Sequence, residues 1–200
     1  IFNIAVNGNF DDCQKIVKEL FVDDEIQKST SLTAVNSINW ARLIAQVVYY
    51  FWAYLQTDQQ QINFIVPSGN FGNIFSAFVA KQMGLPIGHL HIATNSNDIL
   101  KSIVDTGEMK KKSVSQTYSP SMDIQVSSNF ERQIFESLNR DSKRVNEVFE
   151  SFSSKGFYQF DDSVLAKFQQ IYKASSIDDS QTLETIKHVY EKYNYIADPH

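Results

Sequence analysis

The residues with types and spacing suited to chemistry are Ser68-Gly69-Asn70-Phe71-Gly72-Asn73. Two glycines let a main chain curl closely around an anion, and Ser68, Asn70 and Asn73 can donate side-chain hydrogen bonds to it. The turn follows residues 62–66, an apolar run closed by Pro67. It precedes Ile74, Phe75, Phe78, Val79 and Met83 at helical spacing, with Gly84 and Pro86 as stop signals. The order is strand, tight polar turn, helix, and the first turn of a helix carries unpartnered N–H groups and the positive end of the macrodipole. A phosphate suits that place. No Lys or Arg lies in the turn, so such a cradle works through oriented amides. The spacing excludes G-x-G-x-x-G, the G-x-x-x-x-G-K-[ST] loop and the glycine-flanked nucleophile elbow. A glycine turn that only caps a helix is the alternative.

A second candidate group opens a long helix predicted from Asn36 or Ser37 to Leu55, apolar almost all round and expected to be buried. Asn36, Ser37, Asn39 and Arg42 lie within its first two turns. Asn39 and Arg42, three apart, share a side and could grip an anion, with a cap and a surface Arg as the alternative. Asn39, Arg42 and Gln46 interrupt the apolar run, which argues against a membrane span.

Two further turns have a similar composition. Residues 1–6 read as a buried strand, followed by Asn7-Gly8-Asn9-Phe10-Asp11-Asp12, where Asn9 caps a helix with Cys13, Ile16, Val17, Leu20 and Phe21 inside. A strand within 86–94 runs into Asn95-Ser96-Asn97-Asp98 and a short helix. Ligands of open parallel sheets collect beyond the carboxyl ends of strands, so the three turns are expected to line one mouth. His89 and His91 share a strand face, but no carboxylate or cysteine completes metal-ligand spacing, and no metal site is expected.

These turns belong to an α/β fold: an open, mostly parallel sheet with flanking helices over residues 1–105, then a linker and a mainly helical portion over 106–200. Residues 115–120 read as an exposed linker able to move over a site. Helices are predicted over 129–138, 142–152, 163–172 and 181–195, with 156–160 as a short strand or connector. A length of 200 residues allows one or two domains, and a net charge of −5 argues against a general nucleic-acid binder. Lys110-Lys111-Lys112 reads as a solvated loop. A lone Cys13 fits a reducing, cytoplasmic setting. The start lacks the features of a signal peptide, and the ragged ends suggest a piece of a longer polypeptide.

Val66-Pro67-Ser68-Gly69-Asn70-Phe71-Gly72-Asn73 resembles the phosphate-binding turn of threonine synthases, pyridoxal-phosphate enzymes of fold type II. Asn7-Gly8-Asn9-Phe10-Asp11-Asp12-Cys13, Asn36-Ser37-Ile38-Asn39-Trp40-Ala41-Arg42, Ala93-Thr94-Asn95-Ser96-Asn97-Asp98, Ser119-Pro120-Ser121-Met122-Asp123 and Asp198-Pro199-His200 resemble further family segments in family order. A collinear set spanning the chain is far more specific than any one motif.

The resemblance implies conversion of O-phospho-L-homoserine and water to L-threonine and phosphate, with pyridoxal 5'-phosphate as electron sink. It implies that Ser68, Gly69, Asn70, Phe71, Gly72 and Asn73 hold the cofactor phosphate. By analogy, Asn36, Ser37, Asn39 and Arg42 are candidates for the substrate phosphate. The family's Schiff-base lysine segment and its pyridine-nitrogen partner lie outside the matched stretch, so no catalytic residue is expected here and the isolated chain is expected to be inactive. Lys15, Lys18, Lys81 and Lys101 fall on helical stretches with solvated faces. The expected partners are the substrate and the remaining segments of the parent chain. The alternatives are a non-catalytic phosphate- or nucleotide-binding α/β domain and another pyridoxal-phosphate-dependent β/γ-elimination or replacement enzyme.

Overall fold

A computed structural model describes residues 2–34 and 39–200. The chain runs α1 (Phe10–Val22), α2 (Asp24–Ser29), α3 (Trp40–Leu55), β1 (Ile62–Pro67), α4 (Gly72–Gln82), β2 (Ile87–Thr94), α5 (Ile99–Thr106) and β3 (Glu108–Lys110). A 3-10 turn (Pro120–Met122) leads to α6 (Phe130–Ser137), α7 (Ser142–Lys155), β4 (Phe157–Gln159), α8 (Asp162–Ile171), β5 (Tyr172–Ser176) and α9 (Asp179–Tyr193).

The main sheet is parallel, in the order β1-β2-β5, and β3 pairs antiparallel with β4. Register places Phe64 beside Leu90 and Leu90 beside Tyr172, then Val66 beside Ile92 and Ile92 beside Ala174. That face is the core face. Leu90 and Ile92 are fully buried, with α4, α5 and α8 packed on β2. α3 lies on α4, where Leu43, Val47 and Tyr50 are buried, and Tyr50 meets Phe64 edge to face at 4.8 Å. On the opposite face Asn63, Ile65, His89 and Lys173 are exposed.

Several expectations need correction. Residues 2–6 form no strand, and Phe2 is 96% exposed. An apolar run becomes a strand only beside another strand, and the described sheet ends at β1 on one side and β5 on the other. The long apolar helix is buried along one stripe only, since α4 covers Leu43, Val47 and Tyr50 while Val48, Trp52 and Leu55 stay exposed. Tyr172–Ser176, polar and hemmed between helices, is a strand of the main sheet, because the free edge of β2 offers it a full set of backbone partners. Among the described residues no helix is long and apolar enough to cross a membrane.

Candidate functional site

The central turn leaves β1 at its carboxyl end. The Ser68 N–H donates to the Ala93 carbonyl at 2.8 Å, carrying the β1–β2 ladder one step past Pro67. The Ser68 hydroxyl donates to the Val66 carbonyl at 2.9 Å, so its proton is committed to the backbone. Gly69 then passes against the 3-10 turn and the residues after it. A Cβ there would stand 2.9 Å from Ile124 Cδ1 and 3.1 Å from Met122 Cα, a backbone atom with little freedom to yield. Close approach is why position 69 takes glycine.

Phe71 reverses the chain into α4 with φ 65°, a left-handed conformation uncommon for a bulky residue. Its ring is buried against Phe130 and Tyr172, at 5.0 and 5.4 Å between centroids. Packing therefore holds the backbone where local preference would not. α4 begins at Gly72 without a side-chain cap. Among the described residues, the backbone N–H groups of residues 69–74 donate to no protein acceptor. Six successive amides around a helix start, left without protein acceptors, are donors suited to an anion.

The side chains of the turn are oriented from outside it. Asn70 Oδ1 accepts from Gln14 Nε2 on α1 and from Ser128 Oγ, both at 3.1 Å, and the Asn70 carbonyl accepts from the N–H and Nδ2 of Asn129. Asn73 Oδ1 accepts from the Tyr50 hydroxyl at 2.6 Å. With both amide oxygens taken, the NH2 ends of Asn70 and Asn73 are the groups left to donate.

Among the candidates for the second anion, Asn36 and Ser37 lie outside the described residues. Asn39 is spent on structure: Oδ1 caps α3 by accepting from the Ala41 N–H at 2.9 Å, and Nδ2 donates to the Ala34 carbonyl at 2.9 Å. Arg42 is exposed on the first turn of α3. His91 Nε2 pairs with Ser175 Oγ at 2.8 Å across the sheet.

The Asn7–Asp12 turn is a capping box, with Asn9 Oδ1 accepting from the Asp11 and Asp12 N–H groups while Asp12 Oδ2 accepts from the Asn9 N–H. Asp11 reaches the Gln125 N–H at 3.4 Å, and burial raises its carboxyl above the ordinary range. α1 thus docks beside the central turn through Gln14 and Asp11.

The Asn95 turn anchors the linker. Asn95 Nδ2 donates to Asp123 Oδ1 at 2.8 Å, Thr117 Oγ1 at 2.9 Å and Ser119 Oγ at 3.0 Å, and Asn97 bonds Ser115 through both ends of its amide. Residues 115–120, expected to move, are tied down by two buried asparagines. The mouth formed by Pro67, Ala93, Thr94, Asn95, Ser119 and Met122 continues into a cavity of about 170 Å³ that the tail Ala197 to His200 also lines. Larger clefts of about 450 and 520 Å³ lie between α3, α4 and α6 and share no residue with the turn.

Gln14, Tyr50, Asn129 and His200 escaped sequence reasoning as parts of this site. The contacts of Gln14 and Asn129 with Asn70 and of Tyr50 with Asn73 span 23 to 59 positions, so no local spacing carries them.

No family model matches the chain. Threonine synthase of Pseudomonas aeruginosa is 45% identical over 202 residues, covering 100% of this chain and 43% of that protein. Threonine synthase of Corynebacterium glutamicum is 44% identical over 209 residues, covering 100% of this chain and 44% of that protein. The crystal structure of pyridoxal-phosphate-bound threonine synthase from Brucella melitensis superposes with a TM-score of 0.87 at 45% identity, over 98% of this chain and 43% of that one. The chain spans under half the length of these proteins. Whole-chain identity at this level and a shared fold place the chain in the threonine synthase family.

Proposed function

We propose that this chain is the portion of a threonine synthase that holds the phosphate of pyridoxal 5'-phosphate. The whole protein converts O-phospho-L-homoserine and water to L-threonine and phosphate in the cytoplasm. The observation that carries this reading is the run of amides over residues 69–74 at the uncapped start of α4, which fits a phosphate by donor number and by dipole.

In this reading the 69–74 amides and the NH2 groups of Asn70 and Asn73 bind the cofactor phosphate. Phe71 fixes the backbone and Ser68 ties the turn to the sheet. Asn36, Ser37, Asn39 and Arg42 serve the substrate phosphate, with Arg42 supplying charge and Asn39 holding the helix start. When bound, the cofactor supplies an electron sink for reaction at the substrate's Cα and Cβ. The attaching lysine comes from elsewhere in the parent, so the chain alone is inactive. The exposed sheet face of Asn63, Ile65, His89 and Lys173 supports this, since parallel sheets are ordinarily covered on both faces. The remaining segments of the parent pack there.

The test is an assay of phosphate release and threonine formation by the full-length parent and by the 200-residue chain, each with O-phosphohomoserine and pyridoxal phosphate. Threonine from the parent alone is the expected result. Turnover by the chain alone, or borohydride fixation of the cofactor on one of its lysines, overturns the assignment of the lysine to another segment. A parent that binds the cofactor but makes no threonine points to another β/γ-elimination or replacement reaction.

A further inference from the structure

After α9 the chain turns back at Asn194, φ 51°, and Asp198-Pro199-His200 line the small cavity beyond β1 and β2. Both nitrogens of the His200 ring have partners. Nδ1 lies 2.8 Å from Asp198 Oδ1, which also accepts the His200 backbone N–H at 2.8 Å, and Nε2 lies 3.2 Å from the Ser121 N–H. Nε2 therefore accepts and Nδ1 carries the proton, a tautomer that the Asp198 carboxylate holds in place. The two hydrogen bonds from His200 keep the Asp198 carboxyl below its ordinary value.

The Ser121 bond has a short path to the phosphate turn. The Ser121 carbonyl and Met122 Cα lie 3.4 and 3.1 Å from where a Gly69 Cβ would stand, so Pro120–Met122 forms the wall behind Gly69. At its start the wall is held by Asn95 on Ser119; in its middle His200 holds it, through the Ser121 N–H. Resting on the reading above, we infer that His200, keyed by Asp198, is a positioning residue for the cofactor-phosphate cradle, acting through Ser121 and Met122 on Gly69. A half-exposed side chain on a tail contributes little to global stability, so its loss should loosen the wall locally and leave the fold intact.

The experiment uses the full-length parent, with pyridoxal 5'-phosphate as probe, in wild type, His200→Ala and His200→Gln. Gln keeps an acceptor near the Nε2 position; Ala does not. The readouts are cofactor affinity, the 31P resonance of the bound phosphate and the melting temperature of the cofactor-free protein. His200→Ala should weaken the cofactor about three- to tenfold, as expected for one lost hydrogen bond, and displace the 31P resonance, with the melting temperature held within about 2 °C. His200→Gln should restore affinity and resonance. Unchanged affinity and resonance in His200→Ala overturns the positioning role, as does His200→Gln behaving like His200→Ala. A wild-type parent that does not bind the cofactor overturns the cradle reading itself.

Discussion

The Tyr50 hydroxyl lies 2.6 Å from Asn73 Oδ1 and 3.0 Å from the Asn73 carbonyl, so α3 reaches across and grips the first turn of α4. Burial pushes the phenol well above its ordinary value, which keeps Tyr50 a neutral donor at any ordinary pH. Tyr50→Phe removes that donor at nearly constant volume. It should cost about 1 kcal/mol in urea unfolding, because the exposed Asn73 oxygen recovers a water. Once freed, the Asn73 amide can rotate and turn its oxygen toward a phosphate. Cofactor affinity in the full-length parent should therefore fall by more than stability alone accounts for, and an unchanged affinity would remove Asn73 from the cradle.

Phe71 sets local conformation against packing. Phe71→Gly relieves the left-handed backbone, a gain of about 1 kcal/mol, and removes a ring that is 1% exposed, a loss of about 3–5 kcal/mol. The net effect is destabilising. The measurement is the denaturation midpoint of Phe71→Gly beside Phe71→Ala. Ala loses the ring without relieving the backbone, so it should be the less stable of the two; the reverse order would show that position 71 gives up its left-handed conformation once the ring is gone.

Much of this was legible in the sequence, for identifiable reasons. β1, the central turn and α4 were readable because Pro67, Gly72 and Gly84 punctuate a local apolar pattern, and the Asn9 cap because a cap is a matter of two or three positions. β5 was not, since Tyr172 and Ala174 are too few apolar positions to mark an alternation, and the segment is a strand only because β2 lies beside it. Residues 2–6 failed in the opposite sense, an apolar run without a neighbour. The parts of the site that hold the turn from outside, Gln14 and Asn129 on Asn70 and Tyr50 on Asn73, meet it only after folding.

Gly69 and Gly72 should separate by mechanism. Gly69→Ala drives a methyl toward Met122 Cα and Ile124 Cδ1, at 3.1 and 2.9 Å, and overpacking of this kind costs about 1–3 kcal/mol. Gly72→Asp places a carboxylate at the first residue of α4, where the helix end tolerates a negative charge but a bound phosphate does not. The first variant should lower the melting temperature along with cofactor affinity. The second, at a buried position, should lose the cofactor by far more than its own change in melting temperature accounts for. Retained binding in Gly72→Asp would place the phosphate away from the start of α4.

Asp11 yields a pH prediction. Burial is the largest influence and raises its carboxyl above 3.8, against the backbone N–H groups of Gln125 and Val126 and the charge of Lys111, which lower it; Asp12 raises it further. One oxygen, Oδ1, is buried without a partner among the described residues. An acid with a raised folded-state pKa favours folding in its protonated form. That contribution is fully present below 3.8, the unfolded value, and is lost as pH rises through the folded value. At neutral pH the ionised group is therefore a net cost, partly offset by its place in the first turn of α1. Asp11→Asn keeps an oxygen for the Gln125 N–H and carries no charge. Its melting temperature at pH 7 should exceed wild type by about 1–3 °C, a modest gain because the group is only partly buried. The advantage should shrink toward zero as pH falls below about 4, where Asp11 is neutral in both folded and unfolded chains. Melting curves of both proteins from pH 3 to pH 8 decide it. An advantage that stays constant with pH would mean that the gain came from hydrogen bonding, with the charge of Asp11 irrelevant to the docking of α1.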